Sequence, residues 1–436
     1  MNVLHFADLH LGSGLHHGRI NPHTGLNTRL EDVVATLERI IDAALALPVD
    51  LVLFAGDAFP DATPPPLHQD LLAKQLCRLA AAGIPTVLLV GNHDQYGQGQ
   101  EGSSLSLYRT LGVPGFVVGD QLATHRIMTP AGPVQVTTLP WINRSTLLAR
   151  QDHLPAASEL EHLLLQRLSL ALEGEIRQLQ PGIPSILLAH VMVDRARYGS
   201  ERHLAVGKGF TVPLSLLTRP EYDYVALGHV HRHQVLSDHP PVIYPGSPER
   251  VDFGEEEEEK GYVLISLPRD PESGPSPNPS PNTELTYRFI PLPARPFRTV
   301  RLDLSTLPAG SPALNQTVTH ALRVAQPEAT ILRLIYRLRP DQLESLDEHA
   351  IHTALQSTFS YSLHPEVISP QRLRLPHLDS RDPWQALADY LQTRPDLAPL
   401  HHDLLTVAAT LIPSALRPEE SPTPEDEDTP LQLDLL

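Results

Sequence analysis

The sequence has one cysteine, Cys77, in 436 residues, and no apolar run approaches the roughly 20 residues that a membrane-spanning helix needs. A single cysteine excludes an intrachain disulfide, which fits a reducing compartment. The N-terminal residues have neither the basic segment nor the small-residue cleavage site of a secretory signal. We therefore expect a cytoplasmic protein that does not engage a membrane.

Basic residues are scarce: 33 Lys and Arg stand against 51 Asp and Glu, for a formal net charge of −18. This balance argues against a nucleic-acid partner. Part of the acidity is local, however, because Glu255–Glu259 is an unbroken acidic run and the Pro-rich tail 413–436 is expected to be disordered. Carboxylates around a metal site are also neutralised by the metal. The charge weakens a nucleic-acid hypothesis without excluding it.

Apolar runs and helical patterns alternate in the first part of the chain. Met1–Phe6, Asp50–Ala55 and Val87–Val90 have the composition of buried strands. Between them, Asn27–Leu47 and Leu67–Ala82 carry apolar residues at the three-to-four spacing of helices. The order β-α-β-α-β predicts an α/β protein in which parallel strands are covered by helices.

Polar side chains follow five of the predicted strands, at their carboxyl ends, where open α/β sheets place ligand sites. In extended backbone, residues two apart point the same way, so Asp8 and His10 can converge, as can His229 and His231. Each motif alone is compatible with an ordinary polar turn. The strand-end residues are Asp8, His10, Asp57, Asn92, His93, His190, His229 and His231.

The combined order D-x-H, G-D, G-N-H-D, H, G-H-x-H indicates a metal centre rather than turn chemistry. Carboxylate, imidazole and amide oxygen suit Mn²⁺, Mg²⁺, Fe²⁺ or Zn²⁺. Without His93, the remaining ligands are too many for one ion that leaves room for water. They suit two ions that share Asp57 as a bridge, roughly 3.5–4 Å apart.

Composition divides the remainder of the chain. A Pro- and Ser-rich stretch separates two predicted strands, Gly261–Leu267 and Thr286–Ile290, and is taken as a flexible loop within the first domain. The expected organisation is a domain at 1–295 with its flexible loop at 268–283, a small α+β domain at 296–368, helices at 380–412, and the acidic tail.

A basic loop at 194–209 follows His190. Its cationic residues are Arg195, Arg197, Arg202 and Lys208, with Tyr198 and His203 between them. It is either a solvated polar loop or a surface that contacts a phosphate backbone.

At this point the motifs match a known family. The five-part order resembles that of the calcineurin-like metallophosphoesterases. Within them, the chain is similar to the SbcD family, through Y-P-G-S-P-E-R-V-D-F-G at 244–254, E-K-G-Y-V-L-I at 259–265 and G-S-E-R at 199–202. The resemblance is specific over 1–295. It implies a sandwich of two β-sheets flanked by helices, a capping domain at 296–368 and partner-binding helices at 380–412.

The resemblance also implies residue roles. The first ion would be held by Asp8, His10 and His231, the second by Asn92, His190 and His229, and Asp57 would bridge them. His93 would contact the scissile phosphate or protonate the leaving oxygen. Some relatives have a second active-site histidine in G-D-x-F-H, where this chain has Pro60, so that function is absent here or is supplied elsewhere, for example by His16 or His17.

The implied activity is a DNA repair nuclease, with Mn²⁺ as the expected metal and Mg²⁺ as an alternative. It would act as a double-strand 3′–5′ exonuclease and a single-strand endonuclease, together with an SbcC-type coiled-coil ATPase, as a homodimer within a heterotetramer. Two alternatives remain open. One is a two-metal phosphodiesterase or phosphomonoesterase for small substrates, which the acidic charge favours; the other is a non-catalytic DNA-binding subunit, which Pro60 favours.

Overall fold

The computed structural model describes residues 1–96, 102–142, 157–199, 211–268, 284–325, 328–368, 383–392 and 394–411. The chain divides into two compact units, Met1–Glu366 and Val367–Leu436. Residues 269–283 of the predicted flexible loop and the predicted tail 413–436 lie outside the described residues. Within the described part, no helix combines the length and the apolar character that crossing a membrane requires.

Most strands of the first unit form two sheets. In chain order the strands are β1 (Asn2–Phe6), β2 (Leu51–Phe54), β3 (Thr86–Leu89), β4 (Phe116–Gly119), β5 (Ala123–Thr129), β6 (Gly132–Leu139), β7 (Ser185–His190), β8 (Met192–Val193), β9 (Thr211–Val212), β10 (Tyr224–Gly228), β11 (Gln234–Asp238), β12 (Pro241–Tyr244), β13 (Gly261–Ser266) and β14 (Thr286–Pro291). One sheet has the order β14-β13-β1-β2-β3-β4 and the other β11-β12-β10-β7-β6-β5, while β8 and β9 form a separate pair.

Helices join and cover the strands. They are α1 (Thr28–Ala46), α2 (Pro66–Ala81), α3 (Ser106–Leu111), α4 (Ala157–Ile176) and the single turn α5 (Leu214–Leu217). Asn27 caps α1, because its side chain accepts the Arg29 N–H at 2.8 Å. The neighbours β1, β2 and β3 pair in parallel, as the β-α-β-α-β pattern predicted.

The two sheets pack face to face. Because side chains alternate along a strand, Leu4 of β1 packs beneath the helices while Val3 faces the second sheet. There it joins a cluster that includes Ile186 and Ala226. The predicted fold class, two sheets flanked by helices, is confirmed.

A smaller layer completes the first unit. It contains β15 (Phe297–Asp303), α6 (Pro312–Val324), β16 (Ile331–Leu338), α7 (Glu348–Ala354) and β17 (Ser360–Val367), with the strand order β15-β16-β17. A 3₁₀ turn at Pro340–Ser345 precedes α7, which Asp347 caps by accepting the Ala350 N–H.

The described part of the second unit is helical. It contains α8 (Pro383–Gln392), a 3₁₀ turn at Pro395–Leu400 and α9 (His401–Leu411). Several large apolar side chains of this unit are exposed, among them Leu404, Val407 and Leu411 of α9.

Candidate metal centre

The loops that follow β1, β2, β3 and β10, together with the last residue of β7, bring all of the predicted ligands together. Potential ligand atoms lie within 4.8 Å of one another in three groups: Asp8, His10 and His231; His10, Asp57 and His93; and Asp57, His190 and His229. Asn92 joins the third group through its Oδ1 atom, which lies 3.0 Å from His190 Nε2 and 2.8 Å from His229 Nδ1.

Asp57 belongs to two of these groups. Its Oδ2 atom lies 3.8 Å from His10 Nε2 and 3.4 Å from His190 Nε2. Its Oδ1 atom accepts the backbone N–H of His93 at 2.8 Å. One carboxylate therefore stands where a bridge between two ions would be needed.

The chemistry of the convergent atoms fits divalent cations. His190 donates its Nδ1–H to the Ala55 carbonyl at 2.7 Å, so in the neutral ring its Nε2 directs a lone pair toward the oxygens of Asn92 and Asp57. His231 Nε2 likewise lies 3.0 Å from His10 Nε2. Oxygen and nitrogen atoms with lone pairs thus lie close together with few hydrogens between them. Divalent cations bound between these atoms would satisfy their lone pairs.

Electrostatics at the site follow from its burial. Burial raises the pKa of the Asp8 carboxyl to about 7, against the opposing influence of His190. Burial opposes protonation of His190, but Asp57 and Asp8 outweigh it and raise the pKa of His190 to about 9. Burial also lowers the pKa of His10 to about 3. Protons and metal ions therefore compete for this site.

The backbone is strained at four predicted ligands. Among the described residues, five non-glycine residues have positive φ, and the ligands among them are Asp8 (54°), His10 (45°), Asp57 (59°) and His229 (103°). Such conformations cost about 1–3 kcal/mol each and persist where the surroundings enforce them. Here they turn the side chains of successive loops toward one point.

Two glycines permit the close approach of these loops. A Cβ atom on Gly91 would lie 2.1 Å from Asp57 Oδ1, and one on Gly228 would lie 2.0 Å from the Ala55 carbonyl oxygen. Any side chain at either position would push apart strand ends that carry predicted ligands.

His93 lies beside the first group, with its ring centre 5.0 Å from that of His10. Its Nδ1–H donates to the carbonyl oxygen of Pro60 at 2.7 Å. The rings of His16 and His17 are in contact at an angle of 46°, and His17 packs edge-on against Phe253 and Phe297. Neither belongs to a ligand group among the described residues.

Sequence reasoning missed two buried carboxylates. Asp94 accepts backbone N–H groups of Asp57, Ala58 and Gly91 and the hydroxyl of Ser104, at 2.8–3.1 Å. It thereby ties the loop after β2 to the loop after β3. The other is Glu255, which the sequence assigned to an acidic loop but whose Oε1 atom accepts the Nδ1–H of His231 at 2.6 Å.

The predicted DNA-contacting residues are only partly described. Arg195 and Arg197 are exposed. The backbone N–H and carbonyl of Arg197 are hydrogen-bonded to the side chain of Gln234, three residues after His231. Arg202 and Lys208 lie outside the described residues.

The family model for calcineurin-like phosphoesterases matches residues 1–233, the part of the chain that contains all of the predicted ligands. The chain belongs to the calcineurin-like phosphoesterase family. The metallophosphoesterase fold implies divalent metal ions, and the clustered His and Asp residues provide candidate ligands.

Relatives in this family include components of nucleases. The chain is 26% identical to the SbcD component of the SbcCD nuclease of Escherichia coli K12, over 61% of this chain and 65% of that protein. It is 30% identical to the SbcD component of the Rhodobacter capsulatus SbcCD nuclease, over 76% and 82% respectively. It is 26% identical to the DNA double-strand break repair protein Mre11 of Methanopyrus kandleri, over 60% and 51%. The resemblance to the SbcD family is thus confirmed, although the match spans less than two thirds of the E. coli relative.

Proposed function

We propose that this protein is a metal-dependent DNA nuclease of the SbcD type. The observation that carries the proposal is the convergence of Asp8, His10, Asp57, Asn92, His190, His229 and His231 at one buried point. The relatives named as SbcD nucleases and Mre11 repair proteins support DNA as the substrate.

The proposed site holds two ions. Asp8, His10 and His231 would hold the first, Asn92, His190 and His229 would hold the second, and Asp57 would be shared by both. We infer Mn²⁺ as the metal, with Mg²⁺ as an alternative, since oxygen and imidazole ligands suit it and no thiolate is present among them.

Two divalent cations in such a site lower the pKa of bound water and neutralise charge on the phosphodiester. The chain's own residues supply the rest. His93, oriented by the Pro60 carbonyl, would in its doubly protonated form donate its Nε2–H to the scissile phosphate, or transfer that proton to the oxygen that leaves. Asp94 holds the loop of Asp57 against the loop of Asn92, so that both ligands keep their positions.

The reaction proposed is hydrolysis of DNA as a double-strand 3′–5′ exonuclease and single-strand endonuclease. Residues 296–368 cap the site and help to position the duplex. Arg195, Arg197, Arg202 and Lys208 contact the phosphate backbone; the exposure of the first two and the link between Arg197 and Gln234 support this role.

The partner proposed is an SbcC-type coiled-coil ATPase, bound through the helices at 380–412 in a heterotetramer that contains a dimer of this chain. The exposed apolar residues Leu404, Val407 and Leu411 of α9 support a helix-docking surface. A cytoplasmic location follows from this partnership.

A direct test compares linear duplex DNA, single-stranded DNA and p-nitrophenyl phosphate esters, each with and without Mn²⁺. We expect Mn²⁺-dependent cleavage of DNA that Asp57→Asn abolishes. Turnover of the esters alone would indicate a phosphoesterase for small substrates, and DNA binding without cleavage would indicate a non-catalytic protein. Either result would overturn the proposal.

A further inference from the structure

Glu255 and Lys260 form a buried ion pair directly behind His231. The Glu255 side chain is 0% exposed and Lys260 is 1% exposed, and their charged atoms lie 2.7 Å apart. Burial of two charges is costly unless further hydrogen bonds satisfy them. The neighbours of the pair supply those hydrogen bonds, and His231 is among them.

The Glu255 carboxylate is saturated with donors. Oε1 accepts the Nδ1–H of His231 at 2.6 Å. Oε2 accepts the backbone N–H of Val251 at 3.0 Å and the hydroxyl of Ser247 at 3.3 Å, in addition to Lys260. With one oxygen fixed by two hydrogen bonds and the ion pair with Lys260, the other is held at the imidazole.

The side chain of Lys260 holds the backbone of the same histidine. Its Nζ donates to the carbonyl oxygen of His231 at 3.0 Å, as well as to Ser247 Oγ at 2.9 Å and Glu258 Oε2 at 2.8 Å. The ion pair therefore fixes both the main chain and the ring of His231. The segments S-P-E-R at 247–250 and E-K-G-Y at 259–262 contribute to it together, through Ser247 and Lys260.

We propose that Glu255, supported by Lys260, is a positioning residue for the metal centre: it fixes His231 as the Nδ1–H tautomer, with Nε2 directed at the first ion. This inference rests on the proposed function, which makes His231 a ligand. A carboxylate that accepts a hydrogen bond from a ligating histidine orients the ring and makes the metal-binding nitrogen a stronger electron-pair donor. Removal of such a carboxylate typically weakens metal binding by about 10–100-fold.

Glu249 provides a matched control. It is 3% exposed and lies in the same segment, but its carboxylate contacts Arg29 and the backbone N–H of Arg295 rather than a ligand. Glu249→Gln therefore removes a buried charge from the same loop without touching His231. If loss of a buried charge loosens this loop in general, both variants should bind Mn²⁺ more weakly. If Glu255 acts by positioning His231, only Glu255→Gln should do so.

The experiment titrates the full-length, metal-free protein with Mn²⁺ by calorimetry. We expect wild type to bind two ions, Glu255→Gln to bind one of them about 10–100-fold more weakly, Glu255→Asp to lose less, and Glu249→Gln to match wild type. Folded Glu255→Gln with two ions at wild-type affinity, or equal loss in Glu249→Gln, would overturn the inference. If wild type binds no Mn²⁺, the proposed function fails instead.

A second measurement does not depend on folding of the Glu255 variants. Long-range ¹H–¹⁵N spectra of wild-type histidine side chains report the tautomer of each ring, and the His231 signals are those lost in His231→Gln. We expect the metal-free protein to show His231 protonated on Nδ1. Protonation on Nε2 would contradict the role given to Glu255.

Discussion

The Nδ1 atom of His93 lies 2.7 Å from the carbonyl oxygen of Pro60, so a main-chain oxygen orients this imidazole. The sequence left open whether Pro60 removes a function that relatives assign to a histidine. The contact offers an answer, because orientation of His93 by the carbonyl does not depend on the side chain at position 60.

We therefore expect His93→Ala to lower Mn²⁺-dependent DNA cleavage by about 10²–10⁴-fold, the usual contribution of a positioned proton donor. Both Mn²⁺ ions should remain bound, because the proposed ligand set does not include His93. Pro60→Ala is the control: it keeps the carbonyl and should keep most activity. Full activity in His93→Ala would refute the role of this residue.

Gly91 tests whether the strand ends must approach closely. Alanine there would place Cβ 2.1 Å from Asp57 Oδ1, which displaces the proposed bridging carboxylate. A displacement of about 1 Å can cost roughly 100-fold in rate, and we expect weaker Mn²⁺ binding with it. Gly174, exposed in α4, has nothing within 4 Å of such a Cβ. Gly174→Ala should leave Mn²⁺ binding unchanged, and a Gly91→Ala variant with wild-type metal affinity would contradict the account.

His5 makes a prediction about pH and stability. It accepts a hydrogen bond from the Tyr224 hydroxyl at 2.9 Å and donates one to the Leu227 carbonyl at 3.1 Å. Burial lowers the pKa of His5 from 6.5 to about 3. Between these values the unfolded chain binds the proton and the folded chain does not, so the free energy of unfolding falls as pH is lowered below 6.5.

The contribution of His5 approaches about 1.4 kcal/mol per pH unit. Urea unfolding of the metal-free protein at several pH values between 6.5 and 4.5 measures it. Asp8 and other groups also titrate, so the comparison is with His5→Gln, whose stability should fall less steeply with acid. Parallel curves for the two proteins would show that His5 is not held neutral by the fold.

The exposed arginines after β8 test the proposed DNA surface. We expect Arg195→Ala/Arg197→Ala to weaken duplex binding, measured without divalent metal, and to reduce the slope of log K against log salt by up to about 1.8. Arg167→Ala, an exposed position on α4, is the control and should leave the slope unchanged. An unaltered slope in the double variant would remove these residues from the DNA surface.

The convergence of the proposed ligands was predictable, because each follows an apolar run typical of a buried parallel strand, and the carboxyl ends of such strands gather polar side chains. Asp57 and His190 could therefore be proposed as neighbours from the sequence. The left-handed backbone at Asp8 and His229 could not, because non-glycine residues adopt it only when surrounding loops enforce it.

Glu255 shows a different limit. An unbroken acidic run indicates a solvated loop, and nothing in the sequence distinguishes Glu255 from the four glutamates that follow it. Its burial depends on Lys260 and Ser247, which the fold brings to one carboxylate. Asp94 is part of the motif G-N-H-D, but the motif does not reveal its role. Its four donors are Asp57, Ala58, Gly91 and Ser104, and only the fold brings them to one carboxylate.

The central claim is that two ions share Asp57. Anomalous diffraction from crystals grown with Mn²⁺ tests it most directly, since it locates the metal independently of activity. The account predicts two peaks roughly 3.5–4 Å apart, on either side of the Asp57 carboxylate. A single peak, or peaks remote from Asp57, would contradict it.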